Sequence, residues 1–492
     1  MSIDVKFIPL TFINTNEEIL RQIKNSVLFS FLLSQHEETA LEYYLESTQY
    51  GYTASALENG NHKLVRITDI NNGTVDWNKV PFCDCDAEDR YLLKDNDILV
   101  ARTGGTTGKS FFVNNPPNNA VFASYLIRLR LKDNIDIEFM NCFLNSYLFW
   151  SQIIEMKSGS AMPNVNAEKL KTLRLPKCDL KTQKQITNIF RNKENNPAFK
   201  ELFKTINSVE KLFNNSNQIS TELNHQLSLV KKLRQQLLQE AVQGKLVKQD
   251  KKEEPASELL KKIKAEKAKL IQEKKIKADR DLPPIKEEEI PFAIPENWTW
   301  CRLGEICIKI GSGSTPNGSN YSKQGIPFFR SQNIYEKGLV YEDISFISNE
   351  VHNQMKGTIV YANDILLNIT GGSMGRCALV PKDFMEGNVS QHVCIIRPLS
   401  VNVKFYHLLI LSPFFQKFIF SSTTGAGREG LPKYNLEQFP NPLPPLSEQQ
   451  RIVAKLEELM QTCNELETSI KQSVAYNERL LQQVLREALE PR

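Results

Sequence analysis

Asp97-Ile98-Leu99-Val100-Ala101-Arg102-Thr103-Gly104-Gly105-Thr106-Thr107-Gly108-Lys109 and Asp364-Ile365-Leu366-Leu367-Asn368-Ile369-Thr370-Gly371-Gly372-Ser373-Met374-Gly375-Arg376 align without a gap. The same spacing pairs Arg130 with Arg397. Upstream, Leu64-Val65-Arg66-Ile67-Thr68-Asp69-Ile70 matches Phe328-Phe329-Arg330-Ser331-Gln332-Asn333-Ile334, and Tyr50-Gly51-Tyr52-Thr53 matches Ser312-Gly313-Ser314-Thr315. Downstream, Met162-Pro163-Asn164-Val165-Asn166 matches Leu431-Pro432-Lys433-Tyr434-Asn435, and Gln183-Lys184-Gln185-Ile186 matches Gln449-Gln450-Arg451-Ile452. A later block, Lys232 to Ala241, resembles Arg479 to Ala488. Several matches in one order mean a duplicated unit of roughly half the chain.

The globular part of each half reads as short strands and turns. Residues 64–70 and 97–102 are apolar and β-branched, bounded by Asn-Gly and Gly-Gly turns. Residues 121–130 alternate like a strand, while 137–154 and 404–420 carry the dense aromatic and leucine pattern of a buried helix. That mixture predicts an α+β fold. Each half then ends in a long helical pattern. Ile219, Leu223, Leu227, Val230, Leu233 and Leu237 recur at three- and four-residue steps, as do Ile452, Leu456, Leu459, Leu466, Ile470, Val474, Leu480 and Val484. This is coiled-coil spacing without Pro or Gly. It suits two ordinary bundle helices, or an antiparallel pair that holds two domains apart.

Composition excludes several classes. The 492 residues are 41% hydrophobic and 24% charged, with 22 Gly and 23 Pro, so collagen, a wholly disordered chain and a mucin-like stalk are out. No apolar run approaches the roughly 20 residues of a membrane span, and the start lacks the pattern of a secretory leader. Nine scattered cysteines offer one close pair, Cys83 and Cys85, without a second pair to complete a zinc site. A cytosolic protein is expected. The net charge of +4 neither demands nor excludes nucleic acid. Basic residues do dominate locally, in 261–269 and 274–277. That stretch reads as a solvated helical linker or as an arm facing DNA or a partner.

Catalytic motifs fail on inspection. Thr103 to Ser110 superficially resembles a phosphate loop, but Thr103 occupies the place of its first glycine and the second copy carries Arg376 in place of the lysine. A turn common to both copies accounts for the pattern better than an ATP site. Asn115-Pro116-Pro117-Asn118 lacks the aromatic residue that an adenine methyltransferase stacks on its flipped base. With no nuclease-like carboxylate cluster, nucleophile elbow or metal-binding histidine pair, the chain reads as non-catalytic by itself.

The ordered set of motifs resembles the specificity (S) subunits of type I restriction–modification systems. The resemblance rests on Gln49 to Ala54, Arg66 to Ile70, the paired Thr-Gly-Gly-x-x-Gly turns, Leu443-Pro444-Pro445-Leu446-Ser447-Glu448-Gln449-Gln450-Arg451-Ile452 and the junction Ile290 to Trp300. It implies two target recognition domains of mixed α/β structure, separated by two long antiparallel coiled-coil helices in a pseudo-twofold internal repeat. Each domain would read one half of a bipartite, asymmetric site on double-stranded DNA. The helices would act as a ruler and dock two methyltransferase (M) subunits, and restriction (R) subunits through them. S-adenosylmethionine, ATP and Mg²⁺ would be used on those partners, with no cofactor or metal on this chain. The resemblance places the protein in a bacterial or archaeal cytoplasm, on DNA and away from membranes.

The expected layout is an N-terminal extension of open role at 1–40, a first recognition domain at 41–200 and a spacer helix at 201–247. A basic helical linker at 248–290, a second domain at 291–450 and a spacer helix at 451–492 follow. Candidate DNA contacts in the first half are Tyr50, Tyr52, Thr53, Arg66, Arg102, Thr103, Thr106, Lys109, Asn164 and Asn166. In the second half they are Ser314, Thr315, Arg330, Gln332, Asn333, Thr370, Arg376, Gln391, Arg428, Lys433 and Asn435. Arginine suits guanine, Asn and Gln suit adenine, and Thr or an aromatic ring suits the thymine methyl. Asn166 and Asn435 equally suit helix capping, and Thr103 and Thr370 equally suit closing a turn. A stand-alone DNA-binding regulator and a coiled-coil protein scaffold are the competing readings.

Overall fold

The computed structural model describes residues 15–71, 74–86, 88–157, 164–192, 197–278, 280–316, 321–422 and 430–489. The chain forms two units, one of residues 1–222 and 473–492 and the other of residues 223–472. Each has the mixed helix and strand content expected of an α+β fold.

The repeated motif supplies the centre of each unit. In the first, a four-stranded antiparallel sheet runs in the order Leu45–Tyr50, Leu126–Leu131, Ile98–Ala101, Ser110–Phe112. In the second, Cys307–Ser312, Val393–Pro398, Ile365–Asn368 and Cys377–Leu379 follow the same order. The Ile98–Ala101 strand is apolar at every position because both its faces are buried. Side chains alternate across a strand, so Ile98 and Val100 enter one core while Leu99 and Ala101 enter another. Ile365 and Leu367 are divided from Leu366 in the same way.

Two repeated charges are also structural. Arg130 grips Asp97 through Nε and Nη2 at 2.8 Å each. Arg397 grips Asp364 at 2.6 and 2.7 Å. Both carboxylates are buried and also accept a backbone N–H, from Lys94 and Tyr361 respectively. The repeated glutamines are staples. Gln183 accepts from the Asp136 amide at 2.9 Å and Gln449 from the Asn402 amide at 2.8 Å. The Gly-rich motif is a turn in both units, with φ of +75° and +95° at Gly104 and Gly108 and of +72° and +88° at Gly371 and Gly375. Those angles favour glycine.

A smaller sheet completes each unit. Strands Phe82–Cys83, His62–Val65 and Ala120–Phe122 form it in the first. In the second, the strands are Ser345–Ile347, Ile326–Phe329, Gly387–Val389 and Ile359–Val360. The expected buried helix is two helices in each unit, Ile137–Leu144 with Tyr147–Lys157 and Val403–Leu411 with Pro413–Ser421. A serine makes the break. Ser412 caps the second of these helices by accepting from the Phe415 amide, and Pro413 suits only a first helical turn.

The described part of the N-terminal segment is integral to the first unit. Helix Asn16–Leu33 opens with a Thr15–Glu18 capping box. It buries Val27, Leu28, Phe29 and Leu32 in the core. Glu38–Ala40 then pairs with Arg174–Pro176, as Thr299–Arg302 pairs with Pro440–Leu443 in the second unit. The stretch read as a linker is likewise docked in part. Helix Ala256–Gln272 buries Ala256, Leu259 and Ile263 in the second unit's core. Lys267 donates to the Gly304 carbonyl at 2.5 Å. Lys261, Lys262 and Lys264 pair with Glu258, Glu254 and Glu305, which offsets part of the basic run.

The segment after this helix is anchored by Arg302, whose buried guanidinium holds Glu289 at 2.7 and 2.8 Å. That contact keeps the Glu289 carboxyl below its ordinary range. A lowered folded-state value means stabilisation present at neutral pH and lost as pH falls through it. Glu289→Gln is therefore expected to cost about 1–2 kcal/mol at pH 7, a charged hydrogen bond discounted for solvent. The gap from wild type should close in acid. Urea unfolding at both pH values measures it, and a gap that persists in acid contradicts the assignment.

The long helices are Lys200–Val242, of 43 residues, and Leu446–Leu489, of 44. At 1.5 Å per residue each is about 65 Å long. Their buried positions follow a heptad, but not quite the one read from apolar residues alone. Leu202, Ile206, Val209, Phe213, Ser216, Val230 and Leu237 are buried on the first, and Ile452, Leu456, Cys463 and Asn477 on the second. Leu223 and Leu227, like Val474 and Val484, are half-buried, and Leu459 and Ile470 pack on the second unit's core. Ile219, Leu233, Leu466 and Leu480 instead face solvent. Polar residues take seam places that periodicity gave to apolar ones. In the first unit Asn477 donates to the Ser216 carbonyl and the Ser220 hydroxyl, both at 2.9 Å. In the second unit Arg234 reaches Asn464 at 2.8 Å and Glu467 at 3.0 Å. Polar seam groups of this kind fix register and orientation.

Candidate nucleic-acid interface

In the first unit the candidates gather where the sheet strands end. Gly51 follows strand Leu45–Tyr50, and a Cβ there would lie 2.2 Å from the Ala123 carbonyl oxygen. Only glycine permits that crossing, and Gly313 makes the same crossing at Val389 in the second unit. The Tyr50 hydroxyl accepts from the Ala167 amide at 3.0 Å. Arg102 lies over the Tyr50 ring, 4.8 Å from its centre. Thr103 bridges to Asn164, and the Val165 amide donates to the Arg102 carbonyl at 2.9 Å. Tyr50, Arg102, Thr103 and Asn164 thus form one cluster. Thr106 and Lys109 sit on the adjoining turn, half-exposed.

Others are placed differently. Asn166 caps helix Ala167–Lys171 by accepting from the Lys169 amide at 2.8 Å, so its side chain has a structural task. The Tyr52 ring packs at a tilt against Tyr91, with centres 5.2 Å apart, and burial near Cys85 and Asp86 pushes its hydroxyl above the ordinary tyrosine value. Thr53 is exposed. Arg66 is committed to Asp69, to which its backbone N, Nε and Nη2 donate at 2.9, 3.0 and 2.8 Å. Its pKa is raised by that pairing.

In the second unit Ser314, Thr315, Thr370 and Gln391 come together. Thr315 hydrogen-bonds Gln391, the Ser314 amide donates to the Val389 carbonyl, and Thr370 Oγ1 meets His392 Nδ1 at 2.7 Å. Arg330 borders this cluster, since the Ser390 amide donates to the Phe329 carbonyl. Arg376 lies over the Tyr335 ring at 4.9 Å, and Gln332 is exposed nearby. Asn333 is not available to a ligand. It is fully buried and donates to the Val340 carbonyl at 3.0 Å. Lys433 pairs with Glu437 at 3.0 Å and Asn435 donates to the Ser422 carbonyl at 2.9 Å. Arg428 lies outside the described residues.

The structure adds three exposed groups that the sequence reading passed over. Tyr125 is 65% exposed and its carbonyl accepts from the Arg102 amide. Tyr335 and His392 join the second unit's surface. Outward-facing residues beside a turn leave no periodic trace, so only the fold reveals them. Cys83 and Cys85 are both buried, and burial pushes the Cys83 thiol up to about 11. Among the described residues no group of three or more His, Cys, Asp or Glu is placed to hold a metal, and no helix is long and apolar enough to cross a membrane.

The two matched units, alike in topology and different in their surface side chains, define an internally duplicated protein. The family model for the type I restriction modification DNA specificity domain matches residues 50–211 and 295–476. The chain belongs to this family. It is 33% identical over 311 residues to the type I restriction enzyme EcoAI specificity subunit of Escherichia coli, covering 60% of this chain and 51% of that protein. It is 34% identical over 269 residues to the EcoEI specificity subunit of the same organism, covering 52% and 43%. The chain spans about half the length of these curated relatives. The crystal structure of the HsdS subunit from Thermoanaerobacter tengcongensis is similar at 17% identity and a TM-score of 0.44, over 92% of this chain and 96% of that one.

Proposed function

We propose that this chain is the DNA-recognition subunit of a type I restriction–modification complex. Each unit reads one half of a bipartite, asymmetric site. The observation that carries this is a common scaffold with divergent faces. The Asp–Arg pairs, the glycine turns and the glutamine staples are repeated, while Tyr50, Arg102 and Lys109 have Ser312, Ile369 and Arg376 in their places. A duplicated scaffold with unlike faces suits two unlike half-sites. Lysines and arginines contact phosphates and position the protein, while the loop clusters read base edges.

Two methyltransferase subunits dock on the long helices, and restriction subunits join through them. S-adenosylmethionine, ATP and Mg²⁺ are used on those partners, in the cytoplasm. The support lies in solvent-facing apolar residues flanking the seam. Leu212, Ile219 and Leu480 are exposed in the first unit, and Leu229, Leu233 and Leu466 in the second. Ile219 and Leu480 hold the same heptad place, as do Leu233 and Leu466. In an antiparallel pair such places fall on one side of the seam. Each unit thus offers its own apolar strip, and water-exposed strips of this kind mark interaction surfaces.

Ile219→Glu combined with Leu480→Glu is expected to weaken capture of the methyltransferase by about 10- to 100-fold, from lost apolar burial. Titration calorimetry with the partner measures this, with circular dichroism to check that the helices persist. The DNA role is tested with the assembled complex on a duplex carrying its target. Binding should fall steeply with salt, and scrambling either half-site alone should abolish specific binding. Binding that ignores both half-sites contradicts the proposal.

A further inference from the structure

The geometry points to Arg102 and Arg376 as the guanine-reading residues, one in each unit, an inference that rests on the DNA-recognition reading above. Four arginines that align between the two copies are engaged inside the protein. Arg66 is held by Asp69 through its side chain at 3.0 and 2.8 Å. Arg130 and Arg397 grip buried aspartates. Arg330 Nη2 donates to the Asp343 carbonyl at 3.1 Å. Arg102 and Arg376 differ, because neither faces a carboxylate among the described residues and each lies over a tyrosine ring.

Stacking of this kind does two things. It holds the guanidinium plane still, and it leaves the edge with its N–H donors open to an incoming acceptor pair. Tyr50 is itself fixed by the Ala167 amide, so the platform under Arg102 is rigid. Tyr335 is carried by the hairpin of Ile334–Tyr335 and Gly338–Leu339, and its ring remains exposed. A planar fork with open donors matches the O6 and N7 acceptors of guanine in the major groove.

The repeat strengthens the choice. Arg102 aligns with Ile369, Tyr50 with Ser312, Arg376 with Lys109 and Tyr335 with Asn71. Neither stacked pair is therefore shared between the two copies. Residues common to both copies, such as Asp97 and Asp364, build the scaffold. Arg–Tyr pairs private to each copy give each unit its own reading edge.

The test uses the assembled complex with its methyltransferase. Affinity is measured for the wild-type duplex and for duplexes with each G·C pair of the site replaced in turn. Arg102→Lys keeps the charge but not the fork. It should lower discrimination at one guanine of the first half-site by about 10- to 100-fold. Affinity for the duplex already lacking that guanine should be almost unchanged, and second-half discrimination should stay intact, which also reports correct folding. Arg376→Lys should do the same at one guanine of the second half-site. Equal weakening on every duplex would make these arginines phosphate contacts and overturn the inference. A wild-type complex with no split-site preference would overturn the recognition reading itself, a different failure seen in a different sample.

Discussion

Asp364→Ala is expected to destabilise the second unit by about 3–5 kcal/mol, because it leaves a partly buried guanidinium without its counter-charge. Arg397 donates twice to this carboxylate, and the Tyr361 amide donates to it as well. Removing the aspartate strands all three donors. Asp97→Ala should act alike on the first unit, where Arg128 also lies 3.9 Å from the carboxylate. A loss of this size lowers the unfolding midpoint by about 10 °C in a unit this large. Replacing Asp364 and Arg397 together with apolar residues of similar volume should recover much of the loss. Thermal unfolding of the single and double variants measures this. A single variant as stable as wild type would contradict the structural role given to the repeated pair.

Phe29→Ala carries the second large effect. Phe29 is fully buried in the N-terminal helix, with ring centres 5.4 Å from Phe139 and 5.6 Å from Phe143. Emptying that position should cost about 3–5 kcal/mol through lost burial and a cavity. If the N-terminal segment were an appendage, the change would cost little. Urea unfolding followed at the first unit separates the two cases, and a loss below about 1 kcal/mol contradicts the packing described here.

The duplication and its strand-and-turn core were legible because period-2 alternation, glycine turns and a buried ion pair are local, and the chain states them twice. The apolar run around Val27–Leu33 reads as core-sized, but its place in the fold was not legible. It has no matching stretch in the repeat, and only packing against Phe139 and Phe143 reveals its place. The coiled-coil seam was half legible. Ser216, Ser220, Arg234, Glu467 and Asn477 occupy it as hydrogen-bonded polar groups. A reading by apolar residues therefore slipped to Ile219, Leu233, Leu466 and Leu480 on the neighbouring face.

The candidate surface divides along similar lines. Asn166 and Asn333 looked like readers because Asn reads adenine, yet one caps a helix and the other is buried in a turn. Arg66 looked free, yet its partner sits three residues away. Tyr125 and Tyr335 carried no signal, since an aromatic residue in a short strand or turn reads equally well as core. Which arginine remains available depends on long-range placement of its carboxylate or aromatic neighbour, and no spacing rule supplies that.

The most direct measurement is a methylome. The chain is co-expressed with its neighbouring methyltransferase in a host free of adenine methylation, and the DNA is sequenced for N6-methyladenine. A split, non-palindromic motif with one methylated adenine in each half, absent when this chain is omitted, is the expected result. A motif that persists without the chain, or no methylation despite a stable complex, would contradict a DNA-recognition role.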